Sequence, residues 1–165
     1  MLCCLVPATI MHCEVPAMLK LPPPVWALIY VLLAAAISWQ LGWPKMPGFP
    51  LPKLGMALTF IPWILPVWAI AIFRREGTET NPTSSTNRVL VVDGPYRYTR
   101  NPMYLGLVLV TLGIAIWVGA WPMFLVPIAT FATANWAHIP FEEAKMRRQF
   151  AAAYDEYVGR VRRWL

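Results

Sequence analysis

Apolar residues along this chain come in long runs, and polar residues gather between them. Four stretches approach the length of about 20 predominantly apolar residues that a helix needs to cross hydrocarbon. They run from about Val25 to Trp43, from Leu54 to Phe73, from Met103 to Gly119, and from Pro122 to Ile139. Pro62 and Pro66 inside the second remove helix hydrogen bonds and predict a kink there. Only Gly119-Ala120-Trp121-Pro122 separates the third from the fourth, so an antiparallel hairpin is expected. Gly106 and Gly113 lie about two helical turns apart and predict a neighbouring helix at close range.

From Phe141 the period changes. Met146, Phe150, Tyr154, Tyr157 or Val158, Val161 and Leu165 recur every three or four residues. Lys145, Arg148, Asp155, Glu156, Arg160 and Arg163 are expected to face away from that stripe. The pattern predicts an amphipathic helix of about 23 residues, too charged to span and suited to lie along the membrane interface. Pro140 and the Glu142-Glu143 pair sit near its start, where prolines and carboxylates are favoured.

Composition supports this outline. Of 165 residues, 58% are hydrophobic and 13% charged, against about 25% charged in soluble domains. Mean hydropathy is +0.51. The fold class expected is all-α: a multi-pass membrane protein of about four transmembrane helices plus a C-terminal interfacial helix. Residues 1–24 are read as an N-terminal segment that can be disordered, 25–73 as two transmembrane helices, and 74–165 as a core made of a loop, the hairpin and the amphipathic helix. Residues 1–17 lack the basic leader and cleavage site of a signal peptide and receive no role.

Charge placement then sets the expected topology. Lys20, five arginines from Arg74 to Arg100 and six basic residues from Lys145 onward fall on one side, twelve of the fourteen; Lys45 and Lys53 fall on the other. All eight acids share the basic side. The positive-inside rule places both termini, the 74–102 loop and the tail in the cytoplasm. Topology therefore accounts for the net charge of +6 without a nucleic-acid partner.

Common catalytic frameworks are missing. No GxGxxG or P-loop pattern supplies a nucleotide cradle, and no elbow motif suggests a serine nucleophile. The histidines are His12 and His138, with no cysteine near the latter, so no metal site is expected. What the hairpin does bring together is a polar cluster at one membrane face. One segment, Asn87 to Tyr104, leads into the third span; the other, Asn135 to Glu143, leaves the fourth. Tyr96, Tyr98, Arg100, Asn101, Tyr104, Asn135, His138, Glu142 and Glu143 would converge there. An aromatic, carboxylate-bearing pocket at a bilayer edge suits a cationic cofactor meeting a lipophilic substrate.

The segment GPYRYTRNPMYLG (94–106), followed by HIPFEEAKMRRQFAAAYDEYVGRVRRWL (138–165), resembles the isoprenylcysteine carboxyl methyltransferase family, with related phospholipid methyltransferases sharing the architecture. The family pattern of an arginine, Pro-x-Tyr-x-Gly, a hydrophobic hairpin, Glu-Glu and a Phe-Gly-x-x-Tyr-x-x-Tyr end is matched by Arg100, Pro102 to Gly106, Glu142-Glu143, Phe150, Tyr154 and Tyr157. The resemblance covers about residues 70–165. Two positions depart from it: Ala151 replaces a usual glycine, a change expected to fit inside a helix, and His138 stands where the eukaryotic enzymes carry arginine.

The resemblance implies S-adenosylmethionine as cofactor, held without a Rossmann fold by Arg88, Val89, Leu90, Val91, Tyr96, Asn101, Pro102, Met103, Tyr104 and Glu142. It implies that His138 faces the substrate, with His138, Arg100 and Glu143 as the catalytic candidates. The expected activity is carboxyl O-methylation of a prenylcysteine-like or other lipophilic acceptor among membrane lipids. N-methylation of a phospholipid amine is the alternative, and a non-catalytic transporter subunit or scaffold is the alternative of another class. A transporter should carry ionisable groups at mid-membrane depth, and the four spans have none.

Overall fold

A computed structural model describes residues 21–75 and 89–165. Every regular element among them is helical, and an isolated antiparallel bridge between Lys45 and Ala120 is their one strand-like pairing. Helix α1 spans Pro23–Gln40, α2 Pro52–Phe60 and α3 Ile64–Arg75, the last two joined by a 3-10 turn at Ile61–Trp63. Helix α4 spans Pro102–Val118 and α5 Leu125–Thr133, with a 3-10 turn at Trp121–Phe124 between them. A π-helical turn, Ala134–His138, leads from α5 into α6, Ile139–Arg160.

Prolines start several of these helices. Proline occupies the first turn of α1, α2 and α4, where the missing N–H would have no intrahelical partner. The kink expected in the second apolar run is present: Pro62 lies within the 3-10 turn that joins α2 to α3. Helix α4 ends on Gly119, which is left-handed (φ 70°) and returns its N–H to Ala115 O at 2.8 Å.

Among the described residues, two helical stretches are long and apolar enough to cross a membrane, Pro23–Gln40 and Pro52–Arg75. Their outer faces are apolar, with Leu28, Leu32, Leu33, Phe60, Ile61, Ile64 and Val67 all more than half exposed. The polar side chains Ser38, Thr59, Thr111 and Thr130 are buried instead. The two remaining apolar runs form the expected hairpin of α4 and α5. Helix α4 is shorter than a full span, and α5 gives way to the π turn after Thr133, so length alone does not make spans of them.

Close packing joins the two halves. A Cβ on Gly113 would collide with the backbone of Leu58 and Thr59 in α2. At Gly106 it would come 2.8 Å from the Pro66 ring and 3.0 Å from Pro62 O. The paired glycines thus seat α4 in the kinked α2–α3 stretch, the close approach that their spacing predicts.

The C-terminal region differs from the sequence expectation in two ways. Helix α6 is interrupted at Ala151 (φ 41°, ψ −118°), a conformation that favours glycine and strains a residue with a Cβ. Alanine in place of the glycine is therefore not accommodated within a regular helix. The helix also ends at Arg160, and Val161 is extended. Residues 161–165 fold back instead of continuing the stripe, which carries Arg163 inward to Glu143 rather than to solvent. Ile139, Glu143, Tyr154 and Tyr157 form the buried side of α6. The two tyrosines pack with Ala69 of α3 and with Val91 and Tyr96 of the preceding loop.

Ala151→Gly should raise stability. Relief of about 1–3 kcal/mol of backbone strain outweighs about 0.5–1 kcal/mol for the extra freedom of glycine in the unfolded chain. A higher melting temperature in detergent is the expected reading. Gly113→Val should cost about 3 kcal/mol or more through overpacking against backbone. Gly159→Ala, helical and with no atom near its added Cβ, should gain about 0.5–1 kcal/mol in the same unfolding assay.

Candidate active site

The loop before α4, the start of α4, the π turn and the first turn of α6 enclose a cavity of about 620 Å³. Its polar end is formed by Arg100, Asn101, Tyr104, His138, Glu142 and Glu143. The rest of its lining is mainly apolar and includes Trp63, Pro66 and Ile70 of the α2–α3 stretch and Leu107 and Val110 of α4. Such a volume lies within the range of small-molecule sites, about 300–1,000 Å³.

At the polar end, the Tyr104 hydroxyl donates to Glu142 Oε1 at 2.7 Å. These residues stand 38 apart in sequence, and the hairpin is what brings them together. Burial pushes the Glu142 carboxyl up to about 7, with Glu143 adding to the rise; the Tyr104 bond and Lys145 work against it. The carboxylate is thus poorly compensated by the protein around it. Tyr96 is buried, and its ring packs edge-on against Phe73 with centroids 5.5 Å apart. Its carbonyl accepts the Tyr157 hydroxyl at 2.7 Å. Burial raises the Tyr96 and Tyr157 phenols well above their ordinary range, so both remain protonated.

Glu143 faces a different environment. Arg163 reaches it twice, Nε to Oε1 at 3.1 Å and Nη2 to Oε2 at 2.6 Å. Arg100 Nη1 lies 3.2 Å from Oε1, an ion pair by distance without hydrogen-bond alignment. Two guanidinium groups on one carboxylate leave a net positive cluster on the cavity wall. Arg100 Nε is buried without a hydrogen-bond partner among the described residues, and so is His138 Nε2. The His138 ring stands 6.2 Å from that of Tyr104, tilted by 36°.

Of the residues singled out from the sequence, Val89, Leu90, Val91, Tyr96, Arg100, Asn101, Pro102, Met103, Tyr104, His138, Glu142 and Glu143 all border this one cavity. Arg88 lies outside the described residues. Glu143 is engaged by arginines rather than standing free as a base. Sequence reasoning missed the contribution of the α2–α3 stretch through Trp63, Pro66 and Ile70, although the doubled proline marked the place. It also missed Arg163, because a helix continued to the C-terminus would turn that residue outward. Among the described residues no group of three metal-ligating side chains occurs.

A carboxylate beside tyrosine rings can hold an organic cation, since aromatic faces attract cations and the acid supplies the opposite charge. The apolar lining can take a hydrocarbon chain. This donor set fits S-adenosylmethionine, a sulfonium cation with an ammonium group, beside a lipophilic acceptor.

The sequence profile of the phospholipid methyltransferase family matches residues 52–153, well over half of the chain. No curated protein matches it. The match takes in α2 to α4, the hairpin, both glutamates and the break at Ala151. The chain belongs to the phospholipid methyltransferase family of membrane methyltransferases, to which the isoprenylcysteine carboxyl methyltransferases are related.

Proposed function

We propose that this protein is an integral membrane methyltransferase that transfers a methyl group from S-adenosylmethionine to a carboxylate oxygen of a prenylcysteine-like or other lipophilic acceptor. The observation that carries this reading is one cavity lined both by the hydrogen-bonded Tyr104–Glu142 pair and by the apolar side chains of Trp63, Pro66, Leu107 and Val110. In this reading α4 and the α5 segment complete a four-span bundle, and α6 lies along the inner interface. The basic loop and tail put the cavity's polar end in the cytoplasm.

S-adenosylmethionine supplies an electrophilic methyl group on a cationic sulfur. Tyr96 and Tyr104 would hold that cation against their ring faces, at about 0.5–2 kcal/mol each. Glu142 would accept hydrogen bonds from the ammonium or ribose hydroxyls, and Asn101 would line the same side, with Val89 to Val91 beside it. His138 and Arg100 would orient the acceptor. A carboxylate is already ionised near neutral pH, so it needs no general base, and fixing it in line with the methyl carbon would supply most of the acceleration. Glu143 would act by keeping Arg100 in the wall.

Methylation of a phospholipid amine is the second reading, favoured by the family profile and by the unpartnered His138 Nε2. An amine acceptor must lose a proton, and His138 could take it. The two readings separate in an assay with labelled S-adenosylmethionine offered prenylcysteine, fatty acid and phosphatidylethanolamine acceptors. Label in a base-labile ester supports the first; label retained on a lipid amine supports the second.

Tyr104→Ala and Glu142→Ala should each weaken S-adenosylmethionine binding about tenfold or more, the scale of one lost charge-assisted hydrogen bond. Unchanged affinity in both by calorimetry would refute the site assignment.

Affinity should also depend on pH. The Glu142 carboxyl titrates at about 7 in the free protein. A bound cation favours the ionised form and lowers that value, so binding releases a proton below about pH 7. Affinity should therefore rise as pH climbs towards 7 and level off above it. Calorimetry in buffers of different ionisation enthalpy reads the released proton, and Glu142→Gln should abolish that component of the release.

A further inference from the structure

The last residues of the chain lie outside the cavity and yet hold much of its wall. Val161 is extended (φ −123°, ψ 130°), which turns the chain from the end of α6 back to the loop ahead of α4. Arg100 N–H then donates to Arg162 O at 3.0 Å. Thr99 Oγ1 and Asn101 Nδ2 both donate to Arg163 O, at 3.1 and 3.0 Å. The Arg163 side chain grips Glu143 through two bonds. Trp164 Nε1 donates to Asn135 Oδ1 in the π turn at 3.1 Å, and its ring packs on Phe131 with centroids 4.8 Å apart. Arg100, Asn101 and Glu143 border the cavity, and the π turn ends in His138. Arg163 and Trp164 do not border it.

An amphipathic helix that served only as an interfacial anchor would not need this arrangement. The bonds run to two segments remote in sequence, and they end on the residues flanking the Tyr104–Glu142 pair. We propose that Val161–Leu165 is a positioning strap, which sets Asn101 and the Arg100–Glu143 pair for the cofactor; this rests on reading the cavity as the S-adenosylmethionine site. Asn101 gives its Nδ2 to the strap, so its amide is fixed in one orientation and its carbonyl oxygen is what it offers a ligand. Glu143, held on both oxygens by Arg163, stays beside Arg100 and leaves Glu142 as the acid of the pair that meets a cation. Arg163 and Trp164 are positioning residues, acting through Asn101, Glu143 and Asn135.

The test compares the full-length protein with a chain ending at Arg160, each with and without Asn101→Ala. Two quantities are read in detergent: hydrogen exchange of amides 98–104 without ligand, and calorimetric affinity for S-adenosylhomocysteine. Removing the strap should leave the helical circular dichroism signal intact, abolish protection of the Arg100 amide and weaken affinity about tenfold, the scale of one or two lost hydrogen bonds. Asn101→Ala should cost a similar factor in the full-length protein and less than about twofold once the strap is gone, because the two changes share one interaction. Equal affinity of the two lengths, or fully additive losses, would overturn the proposal.

If the shortened chain does not fold, Trp164→Phe and Arg163→Lys replace it. Each removes hydrogen bonds at small cost to the packing, so affinity should fall about threefold with the helical circular dichroism signal intact; unchanged affinity in both overturns the proposal. If the full-length protein fails to bind the ligand, the cofactor reading falls by itself. The exchange arm still decides the strap: lost protection of the Arg100 amide supports it, and retained protection rejects it.

Discussion

A carboxyl group enclosed by protein resists ionisation unless charge or hydrogen bonds make up for the lost water. Glu142 is half-buried at the cavity, and its surroundings push its carboxyl up to about 7 although the Tyr104 hydroxyl at 2.7 Å and the nearby Lys145 work against the rise. Its neighbour Glu143 has two arginines. The adjacent acids are thus asymmetric: Glu143 is engaged by two arginines, and Glu142 is not, which is why the proposed cation is assigned to Glu142. Burying an acid in this state costs stability, and a binding function gives a physical reason to retain it.

The rest of the architecture brings Tyr104 and Glu142 to one place. Gly119 ends α4 and reverses the chain, so α5 returns alongside and the π turn delivers His138 and the glutamates level with the start of α4. Gly106 and Gly113 let the kinked α2–α3 stretch close against α4. That contact supplies the apolar half of the cavity through Trp63, Pro66 and Ile70. One helix, α4, thus lends the same cavity both polar and apolar lining, from Tyr104 at its start to Leu107 and Val110 further along.

Much of this was legible in the sequence, for physical reasons that vary by region. The apolar runs, the proline kink and the glycine contacts follow from local rules about hydrocarbon, missing N–H groups and missing side chains. The polar cluster was legible because a short turn forces its two segments to the same end. The C-terminus was not, because periodicity cannot see a tertiary contact. Ala151 adopts a glycine-like conformation that its own side chain disfavours, and α6 breaks there although the hydrophobic stripe runs on. Arg163 looks like a solvated tail residue until its bonds to Glu143 are seen. The membrane length test is passed by α1 and the α2–α3 stretch; α4 and α5 are too short or too interrupted for it.

The central claim is that Tyr104 and Glu142 bind the cationic part of a methyl donor while the apolar lining receives the acceptor. Structure determination of the protein in lipid nanodiscs with S-adenosylhomocysteine and a lipophilic acceptor tests it most directly. The account predicts the ligand's sulfur between the Tyr96 and Tyr104 rings, its polar groups on Glu142, and the acceptor chain along Leu107 and Val110. Ligand density elsewhere on the protein, with the Tyr104–Glu142 bond undisturbed and the cavity filled by water or lipid alone, would contradict it.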